Sequence, residues 1–349
     1  MFRSRLLVAA LVAPTLIACD SSSGGSATPG NDAGSDAAGD AAVATCSASS
    51  ADGLADCVEQ SRLEADVTFV AQPRPPGSAH WQAVQDLCAE RFAQYGFEVT
   101  RHKYATGVNV IGKRVGTSKP SEQIVVSAHY DHIPGCAGAD DNATGVAGLL
   151  EAARILGPKS FERTLVVACW DEEEDGLIGS QAYAMEAKSR GDDVVEMFSL
   201  EMLGYTKDEP NAQQVPAGFE ILFPAEYKQV QDNEFRADFL ALVALDTSKS
   251  TLDTFAAQGT RVGLPVVRLP LTIAQATNPL LGDLQRSDHA AFWQEGYPGI
   301  MVTDTSNFRY QNYHCALGPD DVSQLDFAFM TKVTRAQIGT TAEGLALVP

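Results

Sequence analysis

Apolar positions along this chain recur with two periods, and the alternation between them predicts the elements. Trp81, Val84, Leu87, Cys88, Arg91 and Phe92 stand close to helical spacing, which predicts an amphipathic helix over residues 80–95. Gly96 follows as a stop, as a glycine just past a helix commonly does. Strands are expected at Glu98–His102 and Val108–Lys113. The run QIVVSA at 123–128 is short and continuously apolar, which suits a buried central strand. After a polar loop at 129–142, Val146, Leu149, Leu150, Ala153 and Leu156 form the inward stripe of a helix from about 143 to 156. TLVVACW at 164–170 reads as a second central strand. A helix over 179–189 and a strand over 194–200 follow.

Further on, residues 233–257 read as helical, 261–269 as extended, 288–294 as a short helix, 299–303 as a strand and 324–345 as a closing helix. This β-loop-α order predicts an α/β fold, a single globular domain with a mixed, mostly parallel central sheet flanked by helices. No internal repeat and no domain linker is read after residue 46.

The start of the chain lies outside this pattern. Arg3 and Arg5 precede an apolar run from Leu6 to Ala18 that is too short to span a bilayer as a mature helix and reads as a secretory signal. The run ends Leu16-Ile17-Ala18-Cys19, which resembles the bacterial lipoprotein cleavage box, so residues 1–18 are read as a lipoprotein signal peptide and Cys19 as the lipidated first residue of the mature chain. Residues 19–45 hold mostly Ser, Gly, Ala, Asp and Pro. Such a composition buries too little surface to offset its ordering entropy, and it is read as a disordered, lipid-anchored tether. The folded domain is expected over 46–349, on an exported protein anchored in a bacterial membrane.

Charge and cysteine content refine this picture. The 45 acidic and 25 basic residues give a net charge of −20, which argues against a nucleic-acid partner, since phosphate binding requires a basic face. Besides Cys19 there are six cysteines, which an exported protein can oxidise. Cys46 and Cys57 flank one short segment and suit a bridge. A bridge between Cys136 and Cys315 would join two loops that carry candidate site residues. Cys88 in a helix and Cys169 in a strand are read as free core cysteines. Sequence alone does not fix this connectivity.

Five acidic and histidine-bearing segments carry the candidate chemistry: His129-Tyr130-Asp131, Asp140-Asp141, Glu173-Glu174, Glu201 and His314. All but the last end an expected strand or lie in the loop after one. In a mostly parallel sheet those positions gather at the carboxyl ends of the strands, where open α/β folds build their sites. His129 leaves its strand with Asp131 two residues on, placed to take the other imidazole N–H and fix its tautomer. Adjacent carboxylates at Asp140-Asp141, and the run Glu172-Glu173-Glu174 after a buried strand, would repel one another unless a cation compensates. One glutamate can ligate a metal while its neighbour takes a proton from a bound water.

These segments resemble the motifs of the dizinc peptidases that include secreted bacterial leucine aminopeptidases, glutamate carboxypeptidase and, more distantly, glutaminyl cyclase. The resemblance spans roughly residues 72–335 and includes RPPGS, GVNVIG, GADDNATGVAGLLEAARIL, EEDGLIGS, SLEMLGY and RSDHAAFWQEGYPGIMVTDTSNFRYQNYH. It implies the architecture of the phosphorylase/hydrolase-like zinc exopeptidases and two Zn2+ ions ~3.5–4 Å apart sharing a water. Asp140 would bridge them through a cis peptide to Asp141. His129 and Glu201 would complete one site, Glu174 and His314 the other, and Glu173 would be the general base. Asp131 would support His129, and Tyr313 matches a tyrosine that in some members hydrogen-bonds the oxyanion.

Glu172 has no assigned role, and Asp288-His289 is read as structural support. The sequence departs from the pattern after His314, where Cys315-Ala316-Leu317-Gly318-Pro319-Asp320 replaces the usual continuation. The expected activity is an aminopeptidase acting on peptides with a free N-terminus. The alternatives are a carboxypeptidase or glutaminyl cyclase on the same scaffold, or a non-catalytic surface lipoprotein that binds metal or peptide. A carboxypeptidase should show an arginine cluster, for which only scattered residues such as Arg286 and Arg309 can be nominated.

Overall fold

The computed structural model describes residues 46–348. The expected lipoprotein signal, Cys19 and the expected tether lie outside the described residues. Eight strands form one sheet: β1 (Glu98–Lys103), β2 (Val108–Arg114), β3 (Lys119–His129), β4 (Arg163–Trp170), β5 (Asp193–Glu201), β6 (Leu240–Leu245), β7 (Val266–Leu271) and β8 (Ile300–Thr303). Their spatial order is β1-β2-β4-β3-β5-β8-β6-β7. The central run β4-β3-β5-β8 is parallel, as is β6-β7. The hairpin β1-β2, and the pairings of β2 with β4 and of β6 with β8, are antiparallel. The sheet is therefore mixed with a parallel centre, as the alternation of elements predicts.

The apolar runs of β3 and β4 are buried because helices cover both faces of the sheet. On one face lies the helix Gly145–Leu156, buried along its whole length. The helices Gln60–Val70, Ala79–Gln94 and Phe327–Leu345 pack around it in turn. On the other face Trp170, Tyr183, Phe292 and Tyr297 form an aromatic cluster beneath the helices Ile178–Arg190 and His289–Gln294. Parallel strands flanked in this way deliver their carboxyl ends to one rim. That rim receives His129 from β3, the turn 171–174 after β4, and Glu201 from β5.

Three expectations are corrected. Residues 233–257 do not form one helix. Leu240–Leu245 is strand β6, held between β8 and β7, and the helix begins at Lys249 and runs to Val262. LALVAL is rich in Leu and Ala, good helix formers, but the open place in the sheet decides its state. In consequence the extended segment expected from residue 261 begins only at Val266. Cys88 and Cys169 are not free: the helix Ala79–Gln94 lies over β4 and brings them into a bridge. Cys46–Cys57 and Cys136–Cys315 are bridged as the sequence suggests.

Candidate metal centre

Three turns and one loop converge on the rim. β3 places His129 with its Nε2 3.3 Å from Asp141 Oδ1, 3.5 Å from Glu201 Oε2 and 3.9 Å from Glu173 Oε2. His314 arrives from the loop after β8, its Nε2 3.2 Å from Asp141 Oδ2 and 2.9 Å from Glu174 Oε2. One carboxylate, that of Asp141, thus stands between two imidazoles with an oxygen toward each.

This corrects the register of the acidic pair. Asp140 is not the residue between the histidines. Its Oδ1 accepts the Gly204 N–H at 2.9 Å and the Thr144 hydroxyl at 3.2 Å, which hold the side chain away from them. The cis peptide likewise joins Asp141 to Asn142, not Asp140 to Asp141. Both backbone N–H groups of the pair donate to Asp320, at 2.9 Å from Asp140 and 3.0 Å from Asp141. Asp320 belongs to the segment after His314 that departs from the family pattern, and its supporting role was not read from the sequence.

The supporting shell is dense. Asp131 accepts the N–H groups of Glu173 and Glu174 on its two oxygens, at 3.1 and 3.2 Å, while Oδ1 stands 3.5 Å from His129 Nδ1. It therefore fixes the glutamate turn and faces the histidine. Ser287 donates to Glu201 Oε2 at 2.8 Å. Arg74, fully buried, donates to the carbonyls of Tyr130, Ala137, Gly138 and Asp141, pinning the loop between His129 and Asp141. The sequence holds a signal for it in RPPGS, but no role could be read there. His132 was also missed: its Nδ1 lies 2.6 Å from Glu174 Oε1. Its only signal was a second histidine three residues after the first. Glu172 accepts from the Thr106 hydroxyl, outside the converging group.

Several of these residues adopt positive φ without being glycine: Glu172 at 56°, Met202 at 52° and His314 at 53°. Each sits in or beside a turn that delivers a site residue. Such conformations persist only where surrounding contacts over-determine them, and they cluster at functional sites. The Cys136–Cys315 bridge ties the His314 turn to the loop after β3.

Electrostatics show a site short of positive charge. Burial, with Glu201, Asp288 and Glu174 adding to it, holds the Glu173 carboxyl well above the usual range, and His129 only partly offsets this. Burial would also raise Asp141, but the facing imidazoles of His129 and His314 take it well below. Burial alone would lower His314, yet Asp141 and Glu174 raise it to about 10. Both ring nitrogens of His129, His314 Nε2 and Asp141 Oδ1 are buried without a hydrogen-bond partner. Buried polar atoms are rarely left in that state.

Imidazole and carboxylate are the donors zinc takes. Ligand atoms of His129, Glu173 and Glu201 lie within 4.8 Å of one another, and so do those of His132, Asp141 and Glu174. The residues present fit divalent metal.

Beside the rim an apolar cavity runs under β6, β7 and β8. Phe219, Val230, Val243, Val267, Leu269 and Met301 line it, and Glu201 and Tyr313 stand in the same wall. Asp288 is buried with both carboxylate oxygens unpaired, pushed up to about 7 by burial, with His129 opposing. The ring of its neighbour His289 bonds the Leu284 carbonyl at 3.0 Å.

Comparison with known proteins gives these features a family. The sequence profile of peptidase family M28 matches residues 109–341. The chain is 28% identical over 288 residues to the uncharacterized protein YfbL of Escherichia coli K12, covering 78% of this chain and 84% of that one. It is 27% identical to leucine aminopeptidase 1 of Sclerotinia sclerotiorum, over 76% of this chain but only 64% of the fungal protein. Among solved structures, the LapA aminopeptidase of Legionella pneumophila superimposes with a TM-score of 0.64 at 16% identity, covering 86% of this chain and 75% of that one.

Proposed function

We propose that this chain, which belongs to peptidase family M28, is a zinc-dependent aminopeptidase with a two-metal centre that removes apolar residues from peptide N-termini. The observation that carries the reading is the Asp141 carboxylate, set between His129 and His314 with one oxygen toward each. His129, Asp141 and Glu201 would hold one ion, and Asp141, Glu174 and His314 the other. Zinc held there would supply Lewis acidity, lowering the pKa of a water and polarising the scissile carbonyl.

The chain's own residues do the rest. Glu173, held by Asp131 through its backbone N–H, takes the proton of the attacking water and delivers it to the leaving amine. A raised carboxyl pKa, as burial gives Glu173, suits a group that must both accept and return a proton near neutrality. Asp131 orients His129 and the glutamate turn together. Tyr313 donates to the developing oxyanion.

An aminopeptidase is favoured over a carboxypeptidase on two grounds. The rim is acidic, which suits a substrate ammonium group. The nominated arginines are also engaged elsewhere among the described residues: Arg309 donates to the Phe239 carbonyl at 2.8 Å and to Gln213 Oε1 at 3.0 Å, and Arg286 to Tyr313, Asn307 and Asp283. The apolar cavity in the wall of Glu201 is the place for the substrate's first side chain.

The test is hydrolysis of leucine p-nitroanilide against its N-acetyl derivative, before and after zinc removal. Turnover of the free amine only, lost on chelation and restored by zinc, is expected. Turnover of the blocked substrate, or activity indifferent to chelation, would defeat the reading. We also propose export and membrane anchoring through lipidated Cys19. The three disulfides of the described residues suit an oxidising compartment. Cys19→Ser should move the protein from the membrane to the soluble fraction, and retention in the membrane would exclude the anchor.

A further inference from the structure

We infer that Arg286 is a positioning residue for catalysis, acting by fixing the Tyr313 hydroxyl so that its proton faces the reacting carbonyl. The inference rests on the aminopeptidase reading above.

The geometry is specific. Arg286 Nη2 donates to the Tyr313 oxygen at 2.8 Å, and the guanidinium carbon lies 5.2 Å from the phenol ring centroid. Its Nη1 is held in turn by Asn307 Oδ1 at 3.0 Å and Asp283 Oδ1 at 3.4 Å. On the other side, the Tyr313 ring stacks on His314 with centroids 3.9 Å apart and planes 20° apart. The phenol is therefore clamped between a cation and an imidazole proposed to hold metal.

A guanidinium has donors only. The Tyr313 oxygen must accept from it, and its own O–H proton is left for another partner. Among the described residues no other hydrogen bond to this hydroxyl is seen, and the residue stands in the same wall as Glu201. Without Arg286 the phenol would be left beside the acidic rim, whose Glu201 shares its wall, and a free hydroxyl turns toward such acceptors. Occupying one lone pair and fixing the ring keeps the proton available for an oxyanion that exists only in the transition state. Hydrogen bonding to the phenol oxygen also polarises its O–H bond. Arg286 is joined in sequence to Ser287, which holds Glu201, so one short segment orders two sides of the site.

The test is a double-mutant cycle on the full chain, using Arg286→Met, Arg286→Lys, Tyr313→Phe and the Met/Phe double variant. Zinc content, kcat and KM for leucine p-nitroanilide, and calorimetric affinities for L-leucine and for L-leucine phosphonic acid, a tetrahedral mimic, are measured. Arg286→Met should lower kcat about tenfold, less than loss of an oxyanion donor itself, with KM within about twofold. Phosphonate affinity should fall about as far as kcat. Zinc content and leucine affinity should stay unchanged, and Arg286→Lys should recover part of the loss. In the Tyr313→Phe background, Arg286→Met should cost nothing further.

Equal losses in both backgrounds, a change in KM alone, or loss of zinc would overturn the assignment. The phosphonate arm separates the two readings. A wild type that turns over no peptide while its phosphonate affinity follows the cycle defeats the aminopeptidase proposal and leaves the Arg286–Tyr313 coupling standing. A wild type that hydrolyses peptides while the cycle is additive defeats the coupling alone.

Discussion

The rim of β3, β4 and β5 and the adjoining cavity under β6, β7 and β8 are built on opposite principles. The rim is polar and crowded. Its carboxylates and imidazoles are buried or half-buried, several of their atoms lack partners, and its turns use left-handed backbone at non-glycine residues. The cavity wall is mostly aliphatic and aromatic, although Glu201, Asp283 and Arg286 also line it. The rim thus stores electrostatic cost that a bound cation would relieve, whereas the cavity gains from any apolar group that displaces its water. Chemistry should reside in the first and selectivity in the second, and substitutions in the two regions should fail in different ways.

The largest effect is expected where a rim residue reacts but does not bind. Glu173→Gln keeps the shape of the turn held by Asp131 and removes the proposed base. Turnover should fall by about 10³ or more, with zinc content retained, since general acid–base catalysis is worth roughly 10²–10⁴. Near-native activity in this variant, measured beside its zinc content, would sink the assignment. Next comes the comparison within the acidic pair. Asp141→Asn should lower zinc affinity by at least about 100-fold, because it takes charge from both sites at once. Asp140→Asn keeps its acceptor oxygen toward Gly204 and should retain most of the zinc. Equilibrium dialysis with zinc distinguishes them, and the reverse order would restore Asp140 as the bridging residue.

The two regions also differ in how far they could be read from the chain. The rim was legible because its residues carry charge at strand ends. His129, Glu173, Glu174 and Glu201 converge as their places after apolar runs imply, and His314 joins them from the loop after β8. What escaped was what depends on direction. Asp140 and Asp141 are chemically identical neighbours, and only the bonds to Gly204, Thr144 and Asp320 decide which one faces the histidines. Arg74 and Asp320 act through backbone groups distant in sequence, so no local pattern gives them a role. The cavity was scarcely legible. LALVAL is a strand because β8 and β7 leave it a place, and an apolar run of six carries no period that excludes a helix. A cavity is moreover a property of what fails to fill it, and side chains from β6, β7, β8 and the segment 213–230 meet there.

The smallest effect tests the cavity alone. Val243 is buried in β6 and lines it. Val243→Thr changes almost no volume but places a hydroxyl among apolar atoms, where an unpaired polar group is costly. Leucine p-nitroanilide should be preferred over alanine p-nitroanilide by about tenfold or more in the wild type, as burial of the extra carbons implies. In the variant that ratio should fall a few-fold, through KM for the leucine substrate, with the alanine substrate nearly unaffected. A variant in which both substrates slow equally, with kcat reduced, would mean that Val243 acts on the rim. The separation of chemistry from selectivity between the two regions would then be lost.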